Sequence, residues 1–339
     1  MAPAWGSASQ RTPSTSVDPP PDSSAPGDAD PRSDSDAIPR ELIFKGAEDK
    51  LEPTETHYVK TNEVRHDVWF SALAERGGVY VGVGADQNYT LIAASRSRVA
   101  FLLDIDQRVV DIHRVYEALI EHAPTPDDLL ALFAADTKDR ALDILQGHVA
   151  DEPPADRVRY LRSYRAARET LRRHLGHVRG RKTSQGPSSW LSNPTWYDAI
   201  RRMFREDRIR SMAGDLAGTR SMQTIAANAR AMNLPVRVLY LSNAEEYFRY
   251  TTQFRNNVRA LPGDEHSLVL RTIYSDDWEH AARLWNYQLQ PLSDFQRRLA
   301  APQNRSRNPM LRRAARDGVV ERTTETKGLS RVAMSPVSD

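Results

Sequence analysis

Two glycines and one acidic residue are spaced as they are in nucleotide-binding folds. Gly82 and Gly84 follow an apolar run at residues 79–81, and Asp104 lies 20 residues after Gly84, at the end of a second apolar run at 99–103. A glycine directly after a strand lets the backbone turn sharply and lets a ligand approach without meeting a Cβ atom. An acid at the end of the next strand can accept hydrogen bonds from ribose hydroxyl groups. The spacing therefore predicts a nucleotide site, and the alternative is a tight turn with a helix-capping acid.

The residues next to this turn are further candidates for ligand contacts, and one of them bears on which ligand binds. Asp86 and Asn88 stand at the start of the helix predicted to follow the glycines, where they either cap the helix or contact the ligand. Asp106 is a second acid beside Asp104. A dinucleotide-binding fingerprint has a third glycine three residues beyond the second, and this chain has Gln87 at that position. The substitution counts against NAD.

A second polar group follows another apolar run, in the sequence YLSNAEEYF at 240–248. Ligands of open α/β sheets bind outside the carboxyl ends of the strands, so we expect Asn243, Glu245 and Glu246 to face the same crevice as Gly84. Asn243 is suited to orienting a substrate, and either glutamate could act as a general base or hold a cation. The alternative is ordinary chemistry of a helix N-terminus, with an asparagine cap and acids in the first turn.

Histidines supply the remaining candidates. His66 lies in a helix predicted from Asn62 through the sequence EVRHDVWFSALAERG. A histidine can act as a general base near neutral pH, and the alternative here is a surface histidine on a helix. His174 and His177 are three residues apart and could share a metal ion, but no carboxylate stands near them in the sequence. We therefore predict no metal site.

The composition excludes several classes of protein. The 339 residues are 27% charged and 40% hydrophobic, with a formal net charge of +2. This near balance argues against a dedicated nucleic-acid binder, which usually has a strong excess of lysine and arginine. There are no cysteines, which excludes disulfides, thiolate zinc sites and cysteine nucleophiles. Since no apolar run is long enough for a membrane span and no ordinary signal peptide is recognisable, we expect a soluble, cytoplasmic protein. Its substrate is expected to be a small molecule or stays unknown.

Apolar runs and helical patterns alternate along the middle of the chain. The predicted strands are 79–81, 99–103, 209–215, 236–242 and 267–274. Strands separated by helices imply a doubly wound α/β fold, in which a mostly parallel sheet has helices on both faces.

The same pattern predicts how the chain is divided. Residues 1–40 contain almost no large apolar side chains and cannot offset the entropy of ordering, which predicts a disordered tail. Residues 41–300 are predicted to form a Rossmann-like α/β domain. A long helical segment after the second strand predicts an insertion at about 124–205 that sits over the sheet as a cap. Residues 301–339 are predicted to be a basic, mostly disordered tail with at most one short helix.

The stretches GVYVGVGADQNYTLI, FLLDID and YLSNAEEYF resemble an uncharacterised bacterial family with a core similar to class I S-adenosylmethionine-dependent methyltransferases. The resemblance covers roughly residues 55–300 and implies a methyltransferase-like fold that binds S-adenosylmethionine. It implies that the methionine part of the cofactor lies at the glycine loop and the ribose at Asp104, with Asp106 as a second acid. Asp215, after the third predicted strand, would correspond to the acid that contacts adenine.

The resemblance also bears on catalysis. It implies that the helix before the first strand covers the cofactor, which would place His66 near the glycine loop, and that YLSNAEEYF holds the substrate. The chain lacks the Asp/Asn-Pro-Pro-aromatic motif of the amino-group methylases, so that chemistry is not implied. Two alternatives stay open: a non-catalytic binding protein that retains the fold without the cofactor, and an enzyme that uses another nucleotide such as NAD.

Overall fold

The computed structural model describes residues 38–274, 277–282, 284–322 and 326–333. From Ile38 onward the chain forms one unit. Its strands are β1 (Val79–Val83), β2 (Val99–Asp104), β3 (Lys182–Thr183), β4 (Gly186–Pro187), β5 (Ile209–Ala213), β6 (Val236–Tyr240), β7 (Leu268–Ile273), β8 (Asn286–Pro291), β9 (Val320–Arg322) and β10 (Leu329–Val332).

Eight of these strands form one sheet in the order β5-β2-β1-β6-β7-β8-β10-β9, while β3 and β4 pair in a separate hairpin. The first five strands of that order run parallel to one another. Strand β8 runs antiparallel to β7, β10 runs parallel to β8, and β9 runs antiparallel to β10. The prediction of an α/β protein with a mostly parallel sheet is confirmed.

Strand β1 lies at the centre of the parallel part. Every residue of β1 is buried, and so are the first five residues of β2. Parallel strands covered on both faces need apolar side chains at successive positions, which is why both strands read as continuous apolar runs. Strand β1 pairs with β2 on one side and with β6 on the other, so the strand order reverses there. Such a reversal is where ligand crevices form in open α/β sheets.

Helices cover both faces of this sheet. They are α1 (Arg40–Phe44), α2 (Phe70–Leu73), α3 (Gln87–Ser95), α4 (Gln107–Glu121), α5 (Pro126–Leu132), α6 (Lys138–His148), α7 (Pro154–Arg179), α8 (Pro194–Arg205), α9 (Ser221–Ala231), α10 (Thr252–Ala260), α11 (Leu292–Ala300) and α12 (Arg307–Arg316). Within β1, Tyr80 belongs to one apolar core, while Val79 and Val81 belong to the other. In the described ranges, no helix combines the length and the apolar character needed to cross a bilayer.

Helices α5 to α8 lie where the helical insertion is predicted, between α4 and β5. They join the core on one face of the sheet instead of standing apart from it. The ring of Tyr89 in α3 makes edge-on contacts with Trp190 and Phe204, at centroid distances of 5.0 and 5.6 Å. Such aromatic pairs add to the energy of burial. The insertion is thus part of the packed body of the protein.

The helix predicted from Asn62 is shorter than its sequence pattern. Regular structure begins only at His66, with a short 3-10 turn before α2. Val64, near the start of the predicted helix, is 48% exposed. The backbone N–H groups of Val64 and Arg65 donate to the Tyr287 hydroxyl of β8, and the backbone of Arg65 is not helical, so this segment is tied to β8 in an irregular conformation.

The C-terminal tail predicted at residues 301–339 is not disordered in its described part. Helix α12 buries Met310, Leu311 and Ala314 in one of the two cores, and β10 enters the sheet between β8 and β9. Strands β9 and β10 have only three and four residues, which is too short for a period to be recognised in the sequence. Of the two predicted tails, residues 1–37, 323–325 and 334–339 lie outside the described residues.

Replacing Leu329 by alanine should lower the free energy of unfolding by about 2–4 kcal/mol, because removing a buried leucine side chain leaves a cavity. Leu329 is 4% exposed in β10, whereas Arg331 on the same strand is exposed. The Arg331→Ala control should change the free energy by less than about 0.5 kcal/mol. Urea unfolding followed by circular dichroism measures both, and an unchanged Leu329→Ala variant would show that β10 does not support the fold.

Candidate functional site

The glycine turn after β1 and the acid at the end of β2 are in direct contact. Gly84 has a φ of +86°, a left-handed conformation that glycine adopts without strain. Its N–H donates to Asp104 Oδ2 at 3.1 Å, and the N–H of Asp106 donates to Asp104 Oδ1 at 2.9 Å. The fold therefore brings together the two residues on which the predicted nucleotide site depends.

Asp104 is a carboxyl group whose own hydrogen bonds come from the backbone. Burial raises the pKa of Asp104 to about 6, although the N–H groups of Asp106 and Gly84 act to lower it. At pH 7 the carboxylate is therefore mostly ionised. Each carboxylate oxygen has two lone pairs, so each can accept a further hydrogen bond from a ligand.

Gly82 makes room for a protein side chain. A Cβ atom at Gly82 would lie 2.1 Å from Asn88 Oδ1 and 2.6 Å from the Tyr80 ring. Asn88 accepts a hydrogen bond from the Tyr80 hydroxyl at 2.7 Å and donates to the carbonyl groups of Val83 and Ala85 at 3.0 and 2.8 Å. Asn88, predicted as a cap or a ligand contact, thus braces the glycine turn from inside.

Asp86 attaches the helical insertion to the same turn. It is buried, with Oδ1 2.7 Å from His174 Nε2 and Oδ2 accepting from the Trp190 indole N–H at 3.3 Å. Burial alone would raise the pKa of Asp86, but His174, Arg181 and Trp190 outweigh it and lower the pKa to about 2. Asp86 and His174, each singled out in the sequence for another purpose, form an interior pair.

His113 of α4 contacts the carbonyl group of Gly84. Its Nε2 lies 2.8 Å from the Gly84 carbonyl oxygen, and its Nδ1 lies 2.7 Å from the Tyr89 hydroxyl. Burial lowers the pKa of His113 to about 4, so the ring is neutral at pH 7. In that state Nε2 carries the proton and donates to Gly84, while Nδ1 accepts from Tyr89. Both backbone groups of Gly84 are therefore bonded to the protein.

The Gln87 side chain lies against the α-carbon of Gly84. Its Nε2 is 2.7 Å from the position that a Cβ atom on Gly84 would occupy, and it donates to the Tyr240 hydroxyl of β6 at 3.4 Å. The carboxamide therefore sits between the ends of β1 and β6, at the reversal of the strand order.

Residues 45–65, which we name the strap, cross the carboxyl edge of the sheet. Near β5, Glu48 accepts from Arg210 Nη2 and from the Ala213 N–H, both at 2.9 Å. Beside β2, His57 Nδ1 lies 2.8 Å from Asp106 Oδ2. The strap thus runs across the edge at which the predicted ligand residues lie.

Asp49 of the strap fills the loop after β5, where an adenine contact is predicted. Its carboxylate accepts from the backbone N–H groups of Asp215, Arg220 and Ser221 at 3.2, 2.9 and 3.3 Å. The Asp215 side chain is exposed and accepts from the Ala217 N–H at 2.8 Å. The loop of Asp215 begins beside Asp104, because Asp104 pairs with Ala213, but the Asp215 side chain faces solvent and the carboxylate of Asp49 occupies the loop.

Near the end of the strap, Glu63 lies in a buried polar cluster. It is 1% exposed, and its Oε1 accepts from Ser242 Oγ at 2.5 Å and Thr272 Oγ1 at 2.8 Å. Its Oε2 accepts from the Tyr240 hydroxyl at 2.7 Å and lies 3.2 Å from His66 Nε2. Burial alone would raise the pKa of Glu63, but the hydrogen bonds and the charge interaction with His66 lower it. The group is therefore an ionised carboxylate held by four side chains.

His66 belongs to this cluster. It is 2% exposed, and its ring packs against the rings of Trp69 and Tyr287 at centroid distances of 6.2 and 6.1 Å. It reaches the glycine turn only through the chain of hydrogen bonds that runs from Glu63 to Tyr240 and Gln87.

The second polar group is divided between the interior and the surface. Glu245 is buried and accepts from Arg271 Nε at 2.6 Å and from the Tyr250 hydroxyl. Arg271 in turn donates to Gln288 and Gln290 of β8 at 3.0 and 2.6 Å. Glu245 therefore neutralises a buried arginine, and its carboxylate is bound by protein side chains.

Glu246 and Asn243 lie at the surface beside a cleft of about 500 Å³ at the ends of β6 and β7. Glu246 accepts from Arg307 Nη1 at 2.9 Å and from the Tyr274 N–H at 3.1 Å. Asn243 Nδ2 donates to the Tyr247 hydroxyl at 3.4 Å. The cleft is lined by Glu245, Glu246, Tyr247, Phe248, Arg249, Tyr274, Ser306, Arg307 and Asn308.

Sequence reasoning missed Glu63, Tyr240, His113 and Asp49. For Glu63 a local signal exists, because it stands three residues before His66 and the two side chains meet at that spacing. For the others the partners lie far away in the sequence. Asp49, for example, bonds to the Ser221 N–H across 172 positions.

The fold and the site define an α/β protein with a mostly parallel sheet and a polar carboxyl edge. Residues 58–333 match the model of a family described as a domain of unknown function, DUF7790, and the chain belongs to this family. No curated protein matches the sequence.

Replacing Asp86 by asparagine should lower the free energy of unfolding at pH 7 by about 2–4 kcal/mol, because the substitution leaves buried His174 without its charged partner. The folded pKa of Asp86 is about 2 and the reference value is 3.8. A lowered pKa contributes stability above the unfolded value, and this contribution is lost as the pH falls towards the folded value. The difference between wild type and Asp86→Asn should therefore shrink between about pH 4 and pH 2.

Urea unfolding at a series of pH values measures this difference. The exposed residue Asp151 provides the control, since Asp151→Asn should behave as wild type throughout. A difference for Asp86→Asn that stays constant down to pH 2 would contradict the assignment.

Proposed function

We propose that the protein binds S-adenosylmethionine at the carboxyl edge of β1 and β2 and is a methyltransferase-like protein acting on an unidentified substrate. The observation that carries this proposal is the contact between Gly84 and Asp104 at the reversal of the strand order. The order β5-β2-β1-β6-β7 supports it, because it matches the order 3-2-1-4-5 of a Rossmann-type sheet.

Residues of the chain fit such a ligand. Asp104 accepts hydrogen bonds from ribose hydroxyl groups, since its present partners are single backbone N–H groups. The methionine part would lie at the glycine turn beside Gln87, whose Nε2 takes the space that a Cβ atom on Gly84 would occupy. Asp106 is the second acid beside Asp104, and its side chain caps α4 by accepting a hydrogen bond from the Arg108 N–H.

The cleft beside β6 and β7 holds the substrate. S-adenosylmethionine supplies an electrophilic methyl group, so the protein has mainly to align a nucleophile with it. Glu246 accepts a proton from that nucleophile, and Asn243 orients it. Tyr247 and Tyr274, which are 73% and 59% exposed, present rings to an apolar part of the substrate.

A second candidate function is a non-catalytic binding protein that retains the fold without the cofactor. It is favoured by the side chains that fill the usual ligand positions: Asn88 at Gly82, Gln87 at Gly84 and Asp49 in the loop after β5. This reading predicts that no nucleotide is retained on purification. Mass spectrometry of the purified protein, with thermal shifts for S-adenosylmethionine, NAD and nucleotide sugars, separates it from the first proposal.

Calorimetric titration with S-adenosylmethionine and S-adenosylhomocysteine tests the proposal directly. Replacing Asp104 by asparagine should weaken the binding of both by about 10- to 100-fold, because hydrogen bonds to a charged group contribute about 1.5–3 kcal/mol. The exposed residue Glu265 provides the control, and Glu265→Gln should bind as wild type. Urea unfolding checks that each variant is folded. No heat from either ligand at millimolar concentration with folded wild-type protein would refute the proposal.

A further inference from the structure

Gln87 has an unusual place for a polar side chain. It is the first residue of α3, a helix of nine residues, and it is 4% exposed. Its Nε2 donates to Tyr240, but its carboxamide oxygen is buried and has no hydrogen-bond donor among the described residues. Its neighbour Asn88, equally buried, uses its oxygen and both of its N–H groups. A buried acceptor without a donor is rare in folded proteins, and a functional role is one of its recognised explanations.

The neighbouring hydrogen bonds fix which way the carboxamide faces. Burial raises the pKa of Tyr240 well above its usual range, so the phenol keeps its proton. That proton is donated to the ionised carboxylate of Glu63 at 2.7 Å. The Tyr240 oxygen can then only accept, so Gln87 must present its NH2 group to Tyr240. The orphan atom is therefore the oxygen of Gln87.

The charges near Gln87 select the kind of donor that would suit this oxygen. On one side, Gly84 is bonded to Asp104, and on the other, Tyr240 is bonded to Glu63. Both acids are carboxylates at pH 7. A third nearby acid, Asp86, is paired with His174. A positively charged N–H donor is favoured in such a field, and an anionic group such as a pyrophosphate is disfavoured.

We propose that Gln87 Oε1 accepts a hydrogen bond from a cationic nitrogen of the ligand beside the glycine turn, and that Gln87 is therefore a specificity-determining residue. This inference rests on the proposed function. In S-adenosylmethionine the donor is the ammonium group of the methionine part. Gln87 then discriminates ligands with an amino-acid part from ligands that contain only the adenosine part, and it disfavours dinucleotides. A glycine at this position, as in the dinucleotide fingerprint, would lack the acceptor.

The test compares two ligands on two variants of the full chain. Gln87→Leu and Gln87→Met remove the acceptor and keep the approximate size of the side chain, and using both guards against one of them failing to fold. S-adenosylmethionine carries the ammonium group, whereas 5′-methylthioadenosine has the same adenosine part without it. In calorimetric titrations the variants should bind S-adenosylmethionine at least about 10-fold more weakly and 5′-methylthioadenosine within about 2-fold of wild type. The exposed residue Gln303 provides the matched control as Gln303→Leu.

The outcomes separate this inference from the proposal on which it rests. If wild type binds both ligands and the Gln87 variants bind both as wild type does, the role of Gln87 is refuted while the site stands. An equal loss for both ligands also refutes it, because the effect would then be a general one on the pocket. If folded wild type binds neither ligand, both the inference and the proposed function fail.

Discussion

The carboxyl edge of this protein depends on the need of a buried carboxylate for partners. An ionised carboxylate taken out of water is costly unless donors surround it. Glu63 meets four of them, two on or beside β6, one on β7 and one in the turn that follows the strap. Because these donors come from three separate parts of the chain, Glu63 fixes the strap and the strand ends relative to one another. Because the Tyr240 hydroxyl donates its hydrogen bond to Glu63, its oxygen can only accept from Gln87. This fixes the orientation of the Gln87 carboxamide.

The strap lies across the carboxyl edge of the sheet, a feature that the strand order alone does not imply. Parallel strands end with free space beyond them, and in many α/β proteins that space receives a ligand. Here Glu48, Asp49 and His57 hold the strap along β5 and β2, while Glu63 holds it at β6 and β7. These anchors are polar side chains that bind backbone N–H groups or other side chains, and Val59 of the strap is buried in one of the apolar cores, so the strap is held by both polar and apolar contacts. The strap and the glycine turn therefore border the site proposed for the ligand.

The sequence allowed prediction of what is encoded locally. The parallel strands were recognisable because burial on both faces requires continuous apolar runs, and the contact of Gly84 with Asp104 was recognisable because one strand-helix-strand unit contains both. The interior roles of His66 and Glu245 were not, because burial depends on distant partners. Arg271, which neutralises Glu245, lies in another strand and is itself satisfied by glutamines of β8. Polar residues in β8 and the short strands at the C-terminus carry no apolar period, so nothing local marks them as buried.

The two acids of the glycine turn show how the structure separates a fixed residue from one that can serve a ligand. Burial acts in the same direction on both, yet the pKa of Asp86 falls to about 2 while that of Asp104 rises to about 6. The difference lies in their partners, because Asp86 has a histidine and an indole N–H, and Asp104 has only backbone N–H groups. A carboxylate that is satisfied by side chains gains little from a ligand. One that is buried with few donors gains from each hydroxyl group that a ligand brings, and perturbed groups of this kind gather at functional sites. By this argument Asp86 organises the turn, and Asp104 is the acid that has hydrogen-bonding capacity left for the proposed ligand.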